Sequence, residues 1–210
     1  MKSILIILMS LSTTIYGCSS SNDEVVQEEL SKPWGFSLSD TEKQDLLFLR
    51  EEEKLARDVY LYAYNLYHHQ VFYNISQSEQ THMDQILALL NNYRIKDPAL
   101  NEPGSFSNHT LQMLYDELTN QVDISLLEAL KVGATIEDLD INDIASFESN
   151  TLKVDILNVY SILKCGSRNH LRSFIYQLDM YDYDYIPQYI SEEDFNEIIN
   201  SYNERCGRNW

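Results

Sequence analysis

Ser78-Glu79-Gln80-Thr81-His82-Met83 sets a glutamate and a histidine three residues apart inside a helical apolar stripe. That stripe runs Ile75, Glu79, His82, Ile86, Leu89, Tyr93 in steps of three and four, and predicts a helix from Asn74 to Tyr93. Two side chains three residues apart lie one turn and about 60° apart, so both can reach one ion. An ionised carboxylate inside a helix bundle costs several kcal/mol unless it is paired or bound to metal. Two readings of Glu79 follow. It is half of a metal site, or it is the capping-box partner of Ser76, three residues before it.

The other long helices carry similar interruptions. Ser39 and Glu42 form a helix start signal, followed by Leu46, Leu49, Glu53, Ala56, Tyr60, Ala63 and Tyr67, and the helix ends near His68-His69-Gln70. Lys96-Asp97-Pro98 and Glu102-Pro103-Gly104 then break the chain, and one short helix fits Thr110 to Asn120. Ser125 and Glu128 open a third long helix with Leu127, Leu130, Ala134, Glu137, Ile141 and Ile144 on one face, and Asp140 one turn beyond Glu137. Asn150 is the expected cap of a fourth, Thr151 to Leu178, with Ile156, Val159, Leu163, Gly166, His170 and Phe174 as its stripe. Short, long and short connections predict an all-α four-helix bundle over residues 39–180. One long crossover joins the second and third long helices and makes them parallel. Residues 181–210 read as a tyrosine-rich tail with a short helix after Ser191.

Composition excludes several classes. The 210 residues are 44% hydrophobic, with 33 acids against 15 Lys and Arg and a net charge of −18, so a nucleic-acid backbone is not the partner. The acidity suits cations, although it serves solubility equally well. Only 6 Gly and 4 Pro argue against a sandwich of many tight turns.

At the N-terminus Lys2 precedes an apolar run from Ile4 to Ile15, too short to span a bilayer. It ends in Ile15-Tyr16-Gly17-Cys18, followed by Ser19-Ser20-Ser21-Asn22. This resembles a bacterial lipoprotein signal. The resemblance implies removal of residues 1–17, lipid on Cys18, and a protein held to a membrane of the bacterial cell envelope, on its periplasmic or surface face. Ile15 and Tyr16 depart from the commonest residues of that signal, and a plain secretory peptide is the alternative. Residues 18–38 are polar and read as a flexible tether. Cys165 and Cys206 remain, and an oxidising compartment permits one disulfide between them.

Dinuclear carboxylate bundles take a Glu from each of two helices and a Glu-x-x-His from each of the other two. Glu53 and Glu137 fit the single glutamates, Glu79 and His82 one pair, and His170 the fourth helix. His68, His69 and His109 lack partners at ligand spacing and read as surface residues.

Residues 46–179 resemble a ferritin-like domain, and closely the bacterial family called domain of unknown function 2202. The stretches carrying this are Arg50-Glu51-Glu52-Glu53-Lys54-Leu55-Ala56-Arg57-Asp58-Val59-Tyr60, Ser78 to Met83, Leu130-Lys131-Val132-Gly133-Ala134, Glu137-Asp138-Leu139-Asp140-Ile141, and Gly166-Ser167-Arg168-Asn169-His170-Leu171-Arg172. Glu53-x-x-Ala56-Arg57-x-x-Tyr60 also resembles the first helix of rubrerythrins, which points to Glu53 rather than Glu51 or Glu52 as a ligand. The resemblance implies a di-iron or related site, with manganese or zinc as alternatives by ligand type. Its chemistry would be dioxygen or peroxide at reduced metal, with Tyr60 either a nearby donor or simple packing.

One departure is Ser167, where rubrerythrins carry the Glu of a second Glu-x-x-His. Asp140 is expected to replace it, pointing into the bundle near Glu137, Glu79 and His170. The competing reading is a metal-poor or metal-free scaffold or interaction lipoprotein, with Tyr181-Asp182-Tyr183-Asp184-Tyr185-Ile186-Pro187 as its contact surface. Mononuclear zinc hydrolysis ranks last, for want of a His-Glu-x-x-His.

Overall fold

Residues 37–207 are described by the computed structural model; the leader, Cys18 and the tether up to residue 36 lie outside the described residues. Six helices follow in order: α1 (Asp40–Tyr67), α2 (Gln70–Asn92), α3 (His109–Val122), α4 (Leu126–Glu148), α5 (Val154–Asp179) and α6 (Glu192–Asn200). No strand occurs among the described residues, and none of their helices is long and apolar enough to cross a membrane.

Local sequence explains most of the ends. Ser39 and Glu42 close the capping box that starts α1, and the Ser125 hydroxyl accepts from the Glu128 N–H to start α4. His68 ends α1 at φ +53°, and α2 begins at once, four residues before Asn74. The added turn buries Phe72 against the core. Ser76 is therefore inside α2, with its hydroxyl on the Tyr73 carbonyl, and the capping reading of Glu79 falls away. At α5 the expected cap shifts from Asn150 to Lys153. Asn150 instead donates to Asp45, and Thr151 to Glu42.

Cross-helix contacts fix the directions. Along α1, Phe48 meets Phe147 and Tyr60 meets Glu137, so α1 and α4 run antiparallel. Along α2, Ser78 meets His170 and Tyr93 meets Asp155, so α2 and α5 do too. Arg50 meets the Met83 carbonyl and Arg57 meets Gln80, so α1 and α2 are antiparallel as well, and α2 and α4 are parallel, with residues 93–125 and α3 forming the crossover.

The charged run Arg50 to Asp58 ties that crossover down. Arg50 forks onto Asp97, and Glu51 accepts from the Ser107 and Asn108 N–H groups. Lys54 is 1% exposed; it binds Asp58 and the Glu102 and Ser105 carbonyls. Asp58 also accepts from the Gly104 N–H, at φ +70°, where a Cβ would strike the Tyr115 ring.

The apolar core forms two layers. Leu46, Leu49, Ile86, Leu90, Ile144, Ile156 and Leu163 make one. Leu55, Val59, Phe72, Leu130, Leu171 and Phe174 belong to the other. Between them each long helix contributes buried polar side chains.

The tail packs on the bundle and adds Phe195 and Ile198 to the core. Its anchor is Asp138, fully buried on α4. That carboxylate accepts from the Tyr185 hydroxyl and the N–H groups of Gln188, Tyr189 and Ile190. A Cys165–Cys206 disulfide joins α5 to the chain after α6.

Candidate metal centre

The polar layer brings together Glu53 from α1, Glu79 and His82 from α2, Glu137 and Asp140 from α4, and His170 from α5, all between 2% and 8% exposed. Two triads are spaced to hold a metal ion: Glu53, Glu79 and His82, and Glu79, Glu137 and His170. Within each triad the ligand atoms lie inside 4.8 Å of one another. His82 Nδ1 is 2.8 Å from Glu79 Oε2 and 3.1 Å from Glu53 Oε2. His170 Nδ1 is 2.8 Å from Glu79 Oε1 and 3.3 Å from Glu137 Oε2. Glu79 thus gives one oxygen to each triad.

Several of these atoms lack hydrogen bonds. Glu53 Oε1, Glu79 Oε1 and His170 Nδ1 are buried without a partner in hydrogen-bond geometry. The 2.8 Å approach of Glu79 Oε1 to His170 Nδ1 therefore has the spacing of a hydrogen bond without its direction. Buried polar atoms are normally satisfied, and a cation between them would satisfy these.

Neighbours hold the ligand side chains in place. The Tyr60 hydroxyl donates to Glu137 Oε1. His170 Nε2 lies 2.9 Å from the Ser78 hydroxyl, and the His82 and His170 rings stack with centroids 5.5 Å apart. Gly166 makes room for His82: a Cβ there would come 2.5 Å from its Nε2.

Charge and burial pull the groups apart. Burial raises Glu79, but His170 and His82 outweigh it and hold the carboxyl well below its ordinary range. Burial lowers both histidines, but the flanking glutamates outweigh it: His82 rises well above its usual value and His170 to about 10. Burial, with Asp140 beside it, pushes Glu53 up despite His82. Glu137 is raised by burial against the pull of His170. Burial and Glu137 push Asp140 up to about 7, against the Ser167 hydrogen bond.

Asp140 points into the bundle but joins neither triad; Ser167 holds one of its oxygens and the other has no partner. Glu52 is a buried neighbour that the sequence reading passed over. A signal was present: Leu49, Glu52, Ala56 and Val59 keep the helical steps of three and four. His68 and His109 are exposed, as expected. His69 is half-buried, edge-on to Phe72.

Fold and site together define an all-α bundle with paired Glu/His triads built around one shared glutamate. The chain belongs to the DUF2202 family, described as an uncharacterized protein domain, whose model matches residues 42–202. It is 52% identical over 169 residues to the uncharacterized protein MJ0754 of Methanocaldococcus jannaschii, covering 80% of this chain and 91% of that one. The crystal structure of the hypothetical protein MJ0754 from that archaeon is similar, with a TM-score of 0.79 and 51% identity over 80% of this chain and 97% of the other.

Proposed function

We propose that this chain is an envelope lipoprotein whose ferritin-like bundle carries a dinuclear metal centre, with iron the first candidate and manganese and zinc the alternatives. The observation that carries the reading is the position of Glu79, one oxygen in each of two buried triads in which Glu53 Oε1, Glu79 Oε1 and His170 Nδ1 lack hydrogen-bond partners. Glu53, Glu79 and His82 would hold one metal, and Glu79, Glu137 and His170 the other, with Asp140 as an adjoining carboxylate. Carboxylate and imidazole ligands without thiolate suit iron and manganese, while imidazole also suits zinc. A bound reduced pair would supply electrons to dioxygen or peroxide.

The protein's own groups would orient the ligands. Tyr60 fixes one oxygen of Glu137. With its Nε2–H donating to Ser78, His170 keeps Nδ1 free for metal. The apolar layers on both sides limit water. The test is metal analysis of protein purified without chelator and reloaded anaerobically with ferrous iron, beside a Glu79→Ala, His82→Ala variant. Two metals per parent chain and essentially none in the variant are expected. A parent that holds no metal after reloading rejects the centre.

The anchor is supported by Ile15-Tyr16-Gly17-Cys18. Fatty-acid labelling should be lost in Cys18→Ser, and equal labelling of parent and variant rejects it.

A metal-free scaffold is the competing reading. Its support is that Glu79 can ion-pair with both histidines without any metal. The tail argues less for it, because the polar groups of residues 185–190 that reach Asp138 face the bundle.

A further inference from the structure

The Cys165–Cys206 disulfide is not all that holds the end of the chain to α5. Arg168 forks onto the Glu204 carboxylate. Arg172 reaches one of the same oxygens, the Ser201 hydroxyl and the Ile198 carbonyl. Asn169 pairs with the Glu204 backbone: its amide donates to the Glu204 carbonyl, and its Oδ1 accepts the Glu204 N–H. These contacts reach to within two residues of Cys206, and none of them passes through sulfur. A staple that only closes a loop would not need them, because it acts mainly by constraining the unfolded chain. A cross-link that opens and closes does need them, because separated thiols must stay face to face to pair again.

The two sulfurs also differ in access and in surroundings. Cys165 is 8% exposed on α5, whereas Cys206 is half-buried in the turn after Glu204. The Asn169 amide, which has two N–H groups, also donates to Cys206 Sγ at 3.3 Å. A donor on sulfur favours the thiolate, and a stabilised thiolate is the better leaving group.

We propose that Cys165–Cys206 is a thiol–disulfide exchange site whose substrate is an external dithiol. A thiolate of the dithiol attacks Cys206 Sγ, the more accessible sulfur. The S–S bond breaks with its electron pair on Cys165, which takes a proton. The second thiol of the reagent then loses its proton and attacks the reagent sulfur of the mixed disulfide. Cys206 leaves as a thiolate held by Asn169 and takes the second proton. The dithiol is oxidised by two electrons to its own disulfide, and this chain keeps those electrons as two docked thiols. The site depends neither on the dinuclear centre nor on the lipid anchor.

Dithiothreitol is the probe. The full chain, without denaturant, is equilibrated with mixtures of reduced and oxidised dithiothreitol and trapped with N-ethylmaleimide. Peptide mass spectrometry reads Cys165 and Cys206 separately from Cys18. The expected result is joint labelling of Cys165 and Cys206 that reverses when oxidised dithiothreitol is restored. The Glu204 N–H should keep its hydrogen-exchange protection in the reduced form. Glu204→Ala removes three side-chain hydrogen bonds from the arginines and should slow re-closure about tenfold or more. Glutathione, a monothiol, should be trapped on Cys206. Labelling that requires denaturant overturns the proposal. Reduction that strips protection from the Glu204 N–H also overturns it and leaves a structural staple. Re-closure of Glu204→Ala at the parent rate overturns the docking argument, and glutathione on Cys165 overturns the choice of attacked sulfur.

Discussion

Ser167 on α5 and Asp140 on α4 are hydrogen-bonded across the bundle at the level of the two triads. The Ser167 hydroxyl also lies 2.9 Å from the Leu163 carbonyl, and its single proton can serve one of them. With Asp140 protonated, the acid donates to Ser167 and Ser167 donates to Leu163, so both contacts are satisfied. Where the rubrerythrin pattern has a glutamate on the fourth long helix, this chain has a serine that holds a carboxyl from the helix beside it.

Asp140 gives a pH prediction. Its folded value, about 7, stands above the ordinary 3.8, so between those limits the folded state binds more protons than the unfolded state. Stability therefore falls as pH rises through that window. In metal-free protein, Asp140→Asn should gain on the parent between pH 4 and pH 8 by on the order of 1–3 kcal/mol. Denaturant unfolding at both pH values measures the gain; a constant difference between the two proteins contradicts it.

Glu79 is shared, so its loss should differ in kind from the loss of its neighbours. Glu79→Ala should release both metals. Glu53→Ala should weaken one and spare the position at Glu137 and His170. Metal counts on the purified variants separate the cases, and equal losses in both variants count against a shared ligand.

Metal that joins four helices stabilises the folded state by mass action. Chelation should lower the melting temperature by roughly 2–12 °C, corresponding to about 1–3 kcal/mol of linkage in a domain of this size. Calorimetry before and after verified metal removal gives the answer, and superimposable curves would favour the scaffold reading.

Gly166→Ala should damage the centre without touching a ligand. The added Cβ would sit 2.5 Å from His82 Nε2, and that ring is confined by Glu53, Glu79 and the stacked His170 ring. Overpacking of this kind costs about 1–3 kcal/mol, against a gain of about 1 kcal/mol in helix propensity. The variant should bind metal more weakly and melt lower; unchanged metal affinity would show that His82 has room to move.

The bundle was legible because each long helix repeats its apolar residues at steps of three and four, and because the connections alternate in length. The polar interruptions were legible for the same reason: Glu53, Glu79, Glu137 and His170 each replace a stripe residue. The role of Arg50 to Asp58 was not. A charged run normally marks a solvated face, and its burial depends on carbonyl and N–H groups of a crossover some fifty residues away. Glu52 was hidden by its neighbours, since adjacent glutamates differ only by about 100° of helix rotation, and resemblance singled out Glu53. The start of α2 was misplaced because no capping side chain marks it: His69 occupies that position without a side-chain hydrogen bond.

The C-terminal segment is clamped at both ends, by Asp138 near residues 185–190 and by Cys165 through Cys206. A helix as short as α6 has little stability alone, but between two fixed points it behaves like a belt between two buckles. A pull on the C-terminus is borne by the covalent bond to α5 before it reaches α6. If α6 opens, its ends stay where they were, and the search needed to close again is short.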